Sequence, residues 1–149
     1  MNEKTNSFNS ARFGKISYSE KQTVFFKDGL LGFENHRNFF VFIQGNDSVF
    51  YYLQSLDDPG LVFIISDPRL FVPDYALVVS NQDFEELAIE NESDLEHWVI
   101  ITVPEKLENM TANLQGPVII NKKNRQGKQV ISLKDDYTTK YKIIRENQK

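Results

Sequence analysis

Apolar residues come in short bursts along the chain, and polar or turn-forming residues separate them. Typical bursts are TVFF at 23–26, FFVFI at 39–43, LVFIIS at 61–66 and HWVIITV at 97–103. Bursts of this length, rich in Val, Ile, Phe and Tyr, are typical of strands. We therefore predict a mainly β fold, a compact antiparallel incomplete barrel or sandwich of short strands with one or two short helices.

Several of these strands are apolar on both faces, because FFVFI, LVFII and WVIITV do not alternate apolar with polar residues. Such a strand either lies between two layers of the protein or offers its outer face to a partner. Simple burial is the favoured interpretation. The burst YALVV at 75–79 is predicted to form another strand.

One helix is predicted after the YALVV burst. Ser80 and Asp83 have the [ST]-x-x-[DE] spacing of a helix start, and the apolar positions that follow lie on one helical face. We expect this helix to end near Asn91. A single helical turn is also expected in EKLENM.

The chain divides simply into three parts. Residues 1–11 are polar and are expected to be a flexible N-terminus. Residues 12–145 are expected to form a single β-rich domain, and residues 146–149 a polar C-terminal tail.

Two loops have the composition of hairpin turns. LDDPG contains Pro59 and Gly60, which favour a tight turn between two strands. The basic stretch NKKNRQGKQV joins PVII to VISL, and we expect Gly127 to supply the positive φ angle of that turn. Its cations are Lys122, Lys123, Arg125 and Lys128.

The charge balance argues against nucleic-acid binding. The net charge is -4 and the pI is about 5.2, whereas proteins that grip phosphates usually carry a basic surplus. We therefore interpret the basic stretch as a solvated hairpin turn, more suited to an acidic patch on a protein than to RNA.

Residues suited to catalysis or metal binding are few. The chain has no cysteine, and His36 and His97 lack the spacing of metal ligands. Asp57 and Asp58 stand directly before a Pro-Gly turn, where Asp is favoured for its own backbone hydrogen bonds. We predict no enzyme activity, no catalytic residue, no metal and no cofactor. The N-terminus lacks a secretory signal and no apolar run is long enough for a membrane span, so we expect a cytoplasmic protein.

Five strings occur in an order that resembles the flagellar assembly factor FliW family of bacteria. They are DGLLGFE, FYYLQSLDDPGLVFIISDP, DYALVVS, ITVPEKLENMTANLQGPVIINKKNRQGKQVI and YTTKY. The resemblance runs from Phe13 to Tyr141. Leu31 stands where the family often has Pro, and Gly60 where it often has an acidic residue.

The resemblance implies a cytoplasmic regulator that binds two proteins. One is the translational regulator CsrA, whose repression of flagellin synthesis the FliW protein lifts, and the other is flagellin, which competes for the same factor. It also implies a mainly antiparallel β fold resembling an incomplete barrel. We expect a monomer when free, with no direct contact to nucleic acid or membrane. The alternative is a small β-barrel that binds RNA or a small ligand in a surface groove.

Partner contact is expected from polar or half-exposed residues in the two most specific strings. MTANLQGP has two interpretations: its alternating polar side chains form one face of a strand that recognises a partner, or these residues close a turn and face water. Tyr51 and Arg125 are the expected energetic anchors, since aromatic and Arg residues dominate interfaces. The full set is Tyr51, Gln54, Asp57, Asp58, Met110, Thr111, Asn113, Asn121 and Arg125.

A cluster of acidic residues suggests how CsrA could be antagonised. Docked beside an RNA-binding surface, these carboxylates would repel phosphates without filling the RNA groove. On the isolated chain they are a solvated helix face and loop. The cluster consists of Asp83, Glu85, Glu86, Glu90, Glu92, Asp94 and Glu96.

Overall fold

The computed structural model describes residues 4–45 and 49–143, and most of this part of the chain is β structure. The described strands, numbered in chain order, are β1 (Thr5–Ser10), β2 (Gly14–Ser19), β3 (Thr23–Phe26), β4 (Asn38–Phe42), β5 (Tyr51–Ser55), β6 (Val62–Ser66), β7 (Leu95–Thr102), β8 (Thr111–Ala112), β9 (Val118–Asn121), β10 (Gln126–Gln129) and β11 (Tyr141–Lys142).

Seven of these strands form a barrel-like ring in the order β7-β6-β5-β4-β3-β10-β9, which closes because β9 also pairs with β7. Every pair is antiparallel except β10 with β3, which is parallel. The predicted mainly β, barrel-like fold is therefore confirmed.

Strand β7 closes the ring because it is long enough to pair with two strands, β9 and β8, along the same edge. Its first half, from Leu95 to Trp98, pairs with β9, and its end at Ile101 and Thr102 pairs with β8. Strand β11 then adds to β8 outside the ring. Both predicted hairpins are present, β5–β6 around LDDPG and β9–β10 around the basic stretch.

Some strands are apolar on both faces, and one of those faces fills the interior of the barrel. Phe39, Leu53 and Ile65 are completely buried there, together with Val118 and Ile120 of β9. Alternate residues of a strand point to opposite sides of the sheet. The residues between these therefore lie outside the ring and need cover of their own.

An N-terminal hairpin of β1 and β2 provides part of that cover, so the prediction of a flexible N-terminus was wrong for Thr5–Ser10. Phe8 lies opposite Ile16 in this hairpin. Its ring packs edge-on against Phe40 of β4, with centroids 5.9 Å apart, and the Tyr18 ring stacks on Phe40 at 4.4 Å. The few apolar residues of a polar segment share one face, and burial of that face orders the hairpin.

The predicted helix begins as expected and ends earlier. Helix α1 spans Asn81–Glu86, and the Ser80 hydroxyl accepts a hydrogen bond from the backbone N–H of Asp83 at 3.2 Å. Ala88 has a φ of 55°, which turns the chain out of the helical path before Asn91. The helical turn expected in EKLENM is a 3-10 turn at Leu107–Asn109.

The burst YALVV does not form a strand, contrary to the prediction. Its backbone is satisfied by other means: Ala76 N–H donates to the Tyr137 hydroxyl at 2.7 Å, and Val78 C=O accepts from Leu133 N–H at 2.7 Å. Tyr75 and Val79 are buried in two different clusters. Packing of side chains therefore fixes this segment without a strand ladder.

None of the described helices is long and apolar enough to cross a membrane. The predicted C-terminal tail, residues 146–149, lies outside the described residues. The extent of the domain over residues 12–145 stays a prediction.

Candidate functional site

The predicted contact residues do not form one surface. In an antiparallel barrel successive hairpin loops alternate between the two ends. The β5–β6 loop with Asp57 and Asp58 lies at the same end as the β3–β4 loop, and the β9–β10 hairpin with Asn121 and Arg125 lies at the other end. Thr111 lies on β8, outside the ring.

In the β5–β6 loop, both carboxylates are exposed and both take part in local hydrogen bonds. Asp58 accepts from the N–H of Gly60 at 2.9 Å, which is the turn-forming bond predicted for this position. Asp57 accepts from the N–H groups of Arg37 and Asn38 at 2.9 and 3.0 Å. The hydrogen bond from the Asn38 N–H holds the pKa of Asp57 below its ordinary value.

Gln54 is completely buried, so it cannot belong to a contact surface as predicted. Its amide nitrogen donates to the carbonyl of Ser55 at 2.9 Å and approaches those of Pro59 and Leu61 at 3.3 Å. Gln54 therefore supports the β5–β6 loop from below. The string LQSLDDPG therefore contains residues that support the loop from inside as well as residues on its surface.

Of the two interpretations of MTANLQGP, the structure supports the turn and not the polar row of a strand. Met110 is buried, and β8 ends at Ala112. Asn113 is half-buried, and its side-chain oxygen accepts from the N–H of Gly116 at 2.9 Å. Thr111 is half-buried and pairs with β7. A turn, not an extended polar face, follows β8.

Asn121 is buried at the start of the basic hairpin and joins it to helix α1. Its side-chain nitrogen donates to the carbonyl of Leu87 at 2.8 Å, and its oxygen accepts from the N–H of Lys123 at 2.9 Å. Burial excludes Asn121 from direct partner contact. Its amide instead fixes the hairpin against the segment that carries the acidic cluster.

Arg125 occupies the position with positive φ in this hairpin, at 57°, and not Gly127 as predicted. Gly127 lies in β10, where a Cβ atom would come within 2.6 Å of the Phe26 ring. The glycine is therefore required by close packing, and the left-handed turn is made by Arg125, whose Nε donates to the carbonyl of Thr23 at 2.9 Å.

Tyr51 and Arg125, the two expected anchors, are linked through β7. Arg125 Nη1 donates to a carboxylate oxygen of Glu96 at 3.0 Å, and the Trp98 indole N–H donates to the other oxygen at 3.1 Å. The Trp98 ring lies 4.9 Å from the Tyr51 ring. Arg125 is thus committed to an internal ion pair, with 21% of its side chain exposed. Sequence reasoning missed this link, since Glu96 and Arg125 are far apart along the chain.

The basic stretch of the β9–β10 hairpin and the acidic cluster form ion pairs with each other. Lys128 Nζ lies 2.8 Å from a carboxylate oxygen of Asp83 and also contacts Glu86, while Lys123 Nζ lies 3.5 Å from Asp94. The hydrogen bond from Lys128 lowers the pKa of Glu86. The acidic patch that the basic turn meets is on the same chain.

Three members of the acidic cluster remain outside these pairs. Glu85, Glu90 and Glu92 are exposed, and none of them forms an ion pair with the described residues. They lie on the outer side of α1 and in the connection to β7. This end of the molecule therefore presents a negative surface of three carboxylates.

A cleft of about 350 Å³ lies between α1 and the start of β7, and Arg69, Phe84 and His97 are among its lining residues. Burial lowers the pKa of His97, which favours the neutral form of this imidazole. Among residues 4–45 and 49–143, no group of three His, Cys, Asp or Glu side chains is placed to hold a metal ion.

Comparisons with known proteins agree on one family. The FliW protein family matches residues 7–143. The flagellar assembly factor FliW of Caldanaerobacter subterraneus is 40% identical over 139 residues, which cover 93% of each chain. That of Alkaliphilus metalliredigens is also 40% identical, over 92% of this chain and 85% of its own. A crystal structure of a flagellar assembly factor FliW superposes with a TM-score of 0.85 at 33% identity, covering 95% of this chain and 99% of the other.

Proposed function

The chain belongs to the FliW family of flagellar assembly factors, and we propose on this basis that it acts by binding two other proteins in the cytoplasm. The partners are the translational regulator CsrA, whose repression of flagellin synthesis it relieves, and flagellin, which competes for it. It works without catalysis, as a monomer when free, and it contacts neither nucleic acid nor membrane.

The observation that carries this proposal is a surface where two loops meet at one end of the barrel. Leu31 and Phe33 of the β3–β4 loop are 56% and 37% exposed. The Phe33 ring lies 6.2 Å from the His36 ring, and Nε2 of His36 lies 3.9 Å from a carboxylate oxygen of Asp58. We call Leu31, Phe33, His36 and Asp58 the loop-end surface. Apolar residues with a polar border are typical of protein-binding surfaces.

The backbone holds the loop-end surface in one shape. Gly29 has a φ of +66°, and a Cβ atom there would lie 2.6 Å from the Cα of Glu34. Only glycine fits this position, so Gly29 fixes the path of the β3–β4 loop. Because Gln54 supports the neighbouring loop from below, the surface is pre-organised, and pre-organisation reduces the entropy that binding costs.

The antagonism of CsrA is assigned to the negative surface at the opposite end. Of the seven predicted carboxylates, Glu85, Glu90 and Glu92 keep their charge unpaired among the described residues, so they repel RNA phosphates when the chain is docked on CsrA. Glu86, which Lys128 neutralises, contributes less. Repulsion of this kind acts through the field and does not require the RNA groove to be filled.

Gel filtration with purified CsrA and flagellin tests the proposal. Leu31→Glu should abolish co-elution with at least one partner, because it places a charge in the apolar part of the loop-end surface. Leu70→Glu is the matched control, since Leu70 is also 56% exposed but lies in the β6–β7 connection, at the other end of the barrel. If both variants bind both partners normally, the loop-end surface is wrong. If the chain ignores CsrA but shifts flagellin leader RNA at moderate salt, the RNA-binding alternative replaces the proposal.

A further inference from the structure

The β9–β10 hairpin carries four cations within seven residues, and three of them are held by carboxylates from α1, from β7 and from Asp94 in the turn directly before β7. The pairs are Lys128 with Asp83 and Glu86, Arg125 with Glu96, and Lys123 with Asp94. Lys122 is exposed and has no ion pair among the described residues. The hairpin is basic in sequence. Because carboxylates pair with three of its four cations, it adds little net positive charge to the folded surface.

Two of the three cations, Lys128 and Arg125, are held in pairs that are partly removed from water, whereas the Lys123 side chain is 65% exposed beside Asp94. The side chains of Lys128 and Asp83 are 24% and 17% exposed, and those of Arg125 and Glu96 are 21% and 24% exposed. Ion pairs that are partly removed from water are screened less by salt than fully exposed ones. Asn121 adds a neutral link, because its buried amide ties the hairpin to the carbonyl of Leu87 at the end of α1.

We propose that these pairs are a built-in block of nucleic-acid binding, in which Asp83, Glu86, Asp94 and Glu96 occupy the hairpin cations that would otherwise bind the phosphates of single-stranded RNA. Basic side chains clustered on one surface neutralise phosphates of a single strand and make its binding dependent on salt. A regulator of an RNA-binding partner gains from such a block, since it cannot then compete for the partner's RNA. The inference concerns the isolated chain and holds whether or not the proposed partners are right.

The test measures binding of a fluorescent 20-nucleotide poly(U) RNA to the protein alone, by fluorescence anisotropy at low salt. The variant Asp83→Asn, Glu86→Gln, Asp94→Asn, Glu96→Gln releases the cations and adds four units of charge. The control Glu85→Gln, Glu90→Gln, Glu92→Gln, Glu108→Gln adds the same charge but breaks no ion pair of the described residues. We expect affinity to rise at least tenfold for the first variant and less than twofold for the control.

The salt dependence gives a second readout. Each phosphate neutralised on a single strand contributes about 0.7 to the slope of log affinity against log salt. Release of three cations should therefore steepen the slope by about 2, whereas a general change in net charge should not. The double variant Asp83→Asn, Glu86→Gln releases Lys128 alone and should give an intermediate gain in affinity. Because it changes fewer ion pairs, it also serves if the quadruple variant does not fold.

Two results would overturn the block. In the first, the quadruple variant and its control gain the same RNA affinity, so that binding follows net charge alone and not the release of the hairpin cations. In the second, the double variant has the same melting temperature as the native protein, but its affinity for RNA is no higher. Failure of the CsrA or flagellin experiments would leave this inference untouched.

Discussion

Glu96 and Arg125 form a salt bridge 3.0 Å long between β7 and the left-handed turn of the basic hairpin. The same Arg125 side chain reaches the carbonyl of Thr23 at the start of β3. Arg125 thus joins the turn of the hairpin to two other strands of the ring, β7 and β3, near the seam where β9 closes onto β7. Its contacts stabilise the fold, whereas its left-handed φ costs free energy, and substitutions can separate the two effects.

Arg125→Ala should destabilise the fold by about 1–3 kcal/mol, because it removes two hydrogen bonds and leaves Glu96 without its cation. Arg125→Gly removes the same contacts but also the cost of a left-handed φ, which is about 1 kcal/mol for a residue with a Cβ atom. Urea unfolding should therefore place the Gly variant between the Ala variant and the native protein. Equal midpoints for the two variants would show that the positive φ stores no strain.

Gly127→Ala should destabilise the fold strongly, by about 1–3 kcal/mol or more, because overpacking a closed core is costly. The new methyl group would lie 2.6 Å from the Phe26 ring and 2.9 Å from Val24. Gly60→Ala is the control, since its Cβ would meet only an Asp58 carboxylate oxygen at 3.5 Å. Thermal unfolding should show a large loss for the first and almost none for the second. A tolerated Gly127→Ala would mean that β10 does not lie this close to β3.

Asp57 should make the stability of the protein depend on pH in the acid range. Hydrogen bonds, first from the N–H of Asn38, lower its folded-state pKa below the ordinary value of 3.8. Its contribution to stability is therefore complete above the unfolded-state pKa and is lost as the pH falls through the folded-state pKa. The difference in melting temperature between the native protein and Asp57→Asn should be constant near neutrality and shrink below pH 4. A difference that is unchanged down to pH 2 would contradict this role.

The N-terminal hairpin should behave as part of the core. Tyr18→Ala removes a ring stacked 4.4 Å from Phe40, and loss of a large side chain from a packed cluster costs about 2–4 kcal/mol. Ser7→Ala, at an exposed position of β1, should change little. Hydrogen exchange of the β1–β2 amides would then be much faster in Tyr18→Ala. Equal protection in both variants would mean that the aromatic contacts do not hold the hairpin.

Local pattern was sufficient for the fold class but not for the closure of the ring. The bursts around Phe39, Leu53 and Ile65 predict strands because β-branched and aromatic residues fit a pleated sheet. The N-terminal strand was missed because a single Phe8 in a polar segment gives no local signal, and its order depends on contact with Phe40. YALVV was misassigned for the opposite reason: its composition favours a strand, but packing and the Tyr137 hydroxyl satisfy its backbone.

The site was predictable only where a residue acts locally. The hydrogen bond from Gly60 to Asp58 follows from the turn sequence alone. The burial of Gln54 and the pairing of Arg125 with Glu96 depend on which strands become neighbours, and no spacing in the sequence encodes that. The acidic cluster and the basic stretch were each visible in the sequence, but that they neutralise each other is a property of the folded chain.

The affinity of CsrA for flagellin leader RNA, measured with and without this protein across ionic strength, tests the proposed function most directly. The protein should weaken RNA binding at low salt. The ratio of the two affinities should fall toward one as salt rises, while the complex with CsrA persists, and also in the variant Glu85→Gln, Glu90→Gln, Glu92→Gln. An RNA affinity that the protein leaves unchanged at every salt concentration, even when all CsrA is bound, would contradict the account.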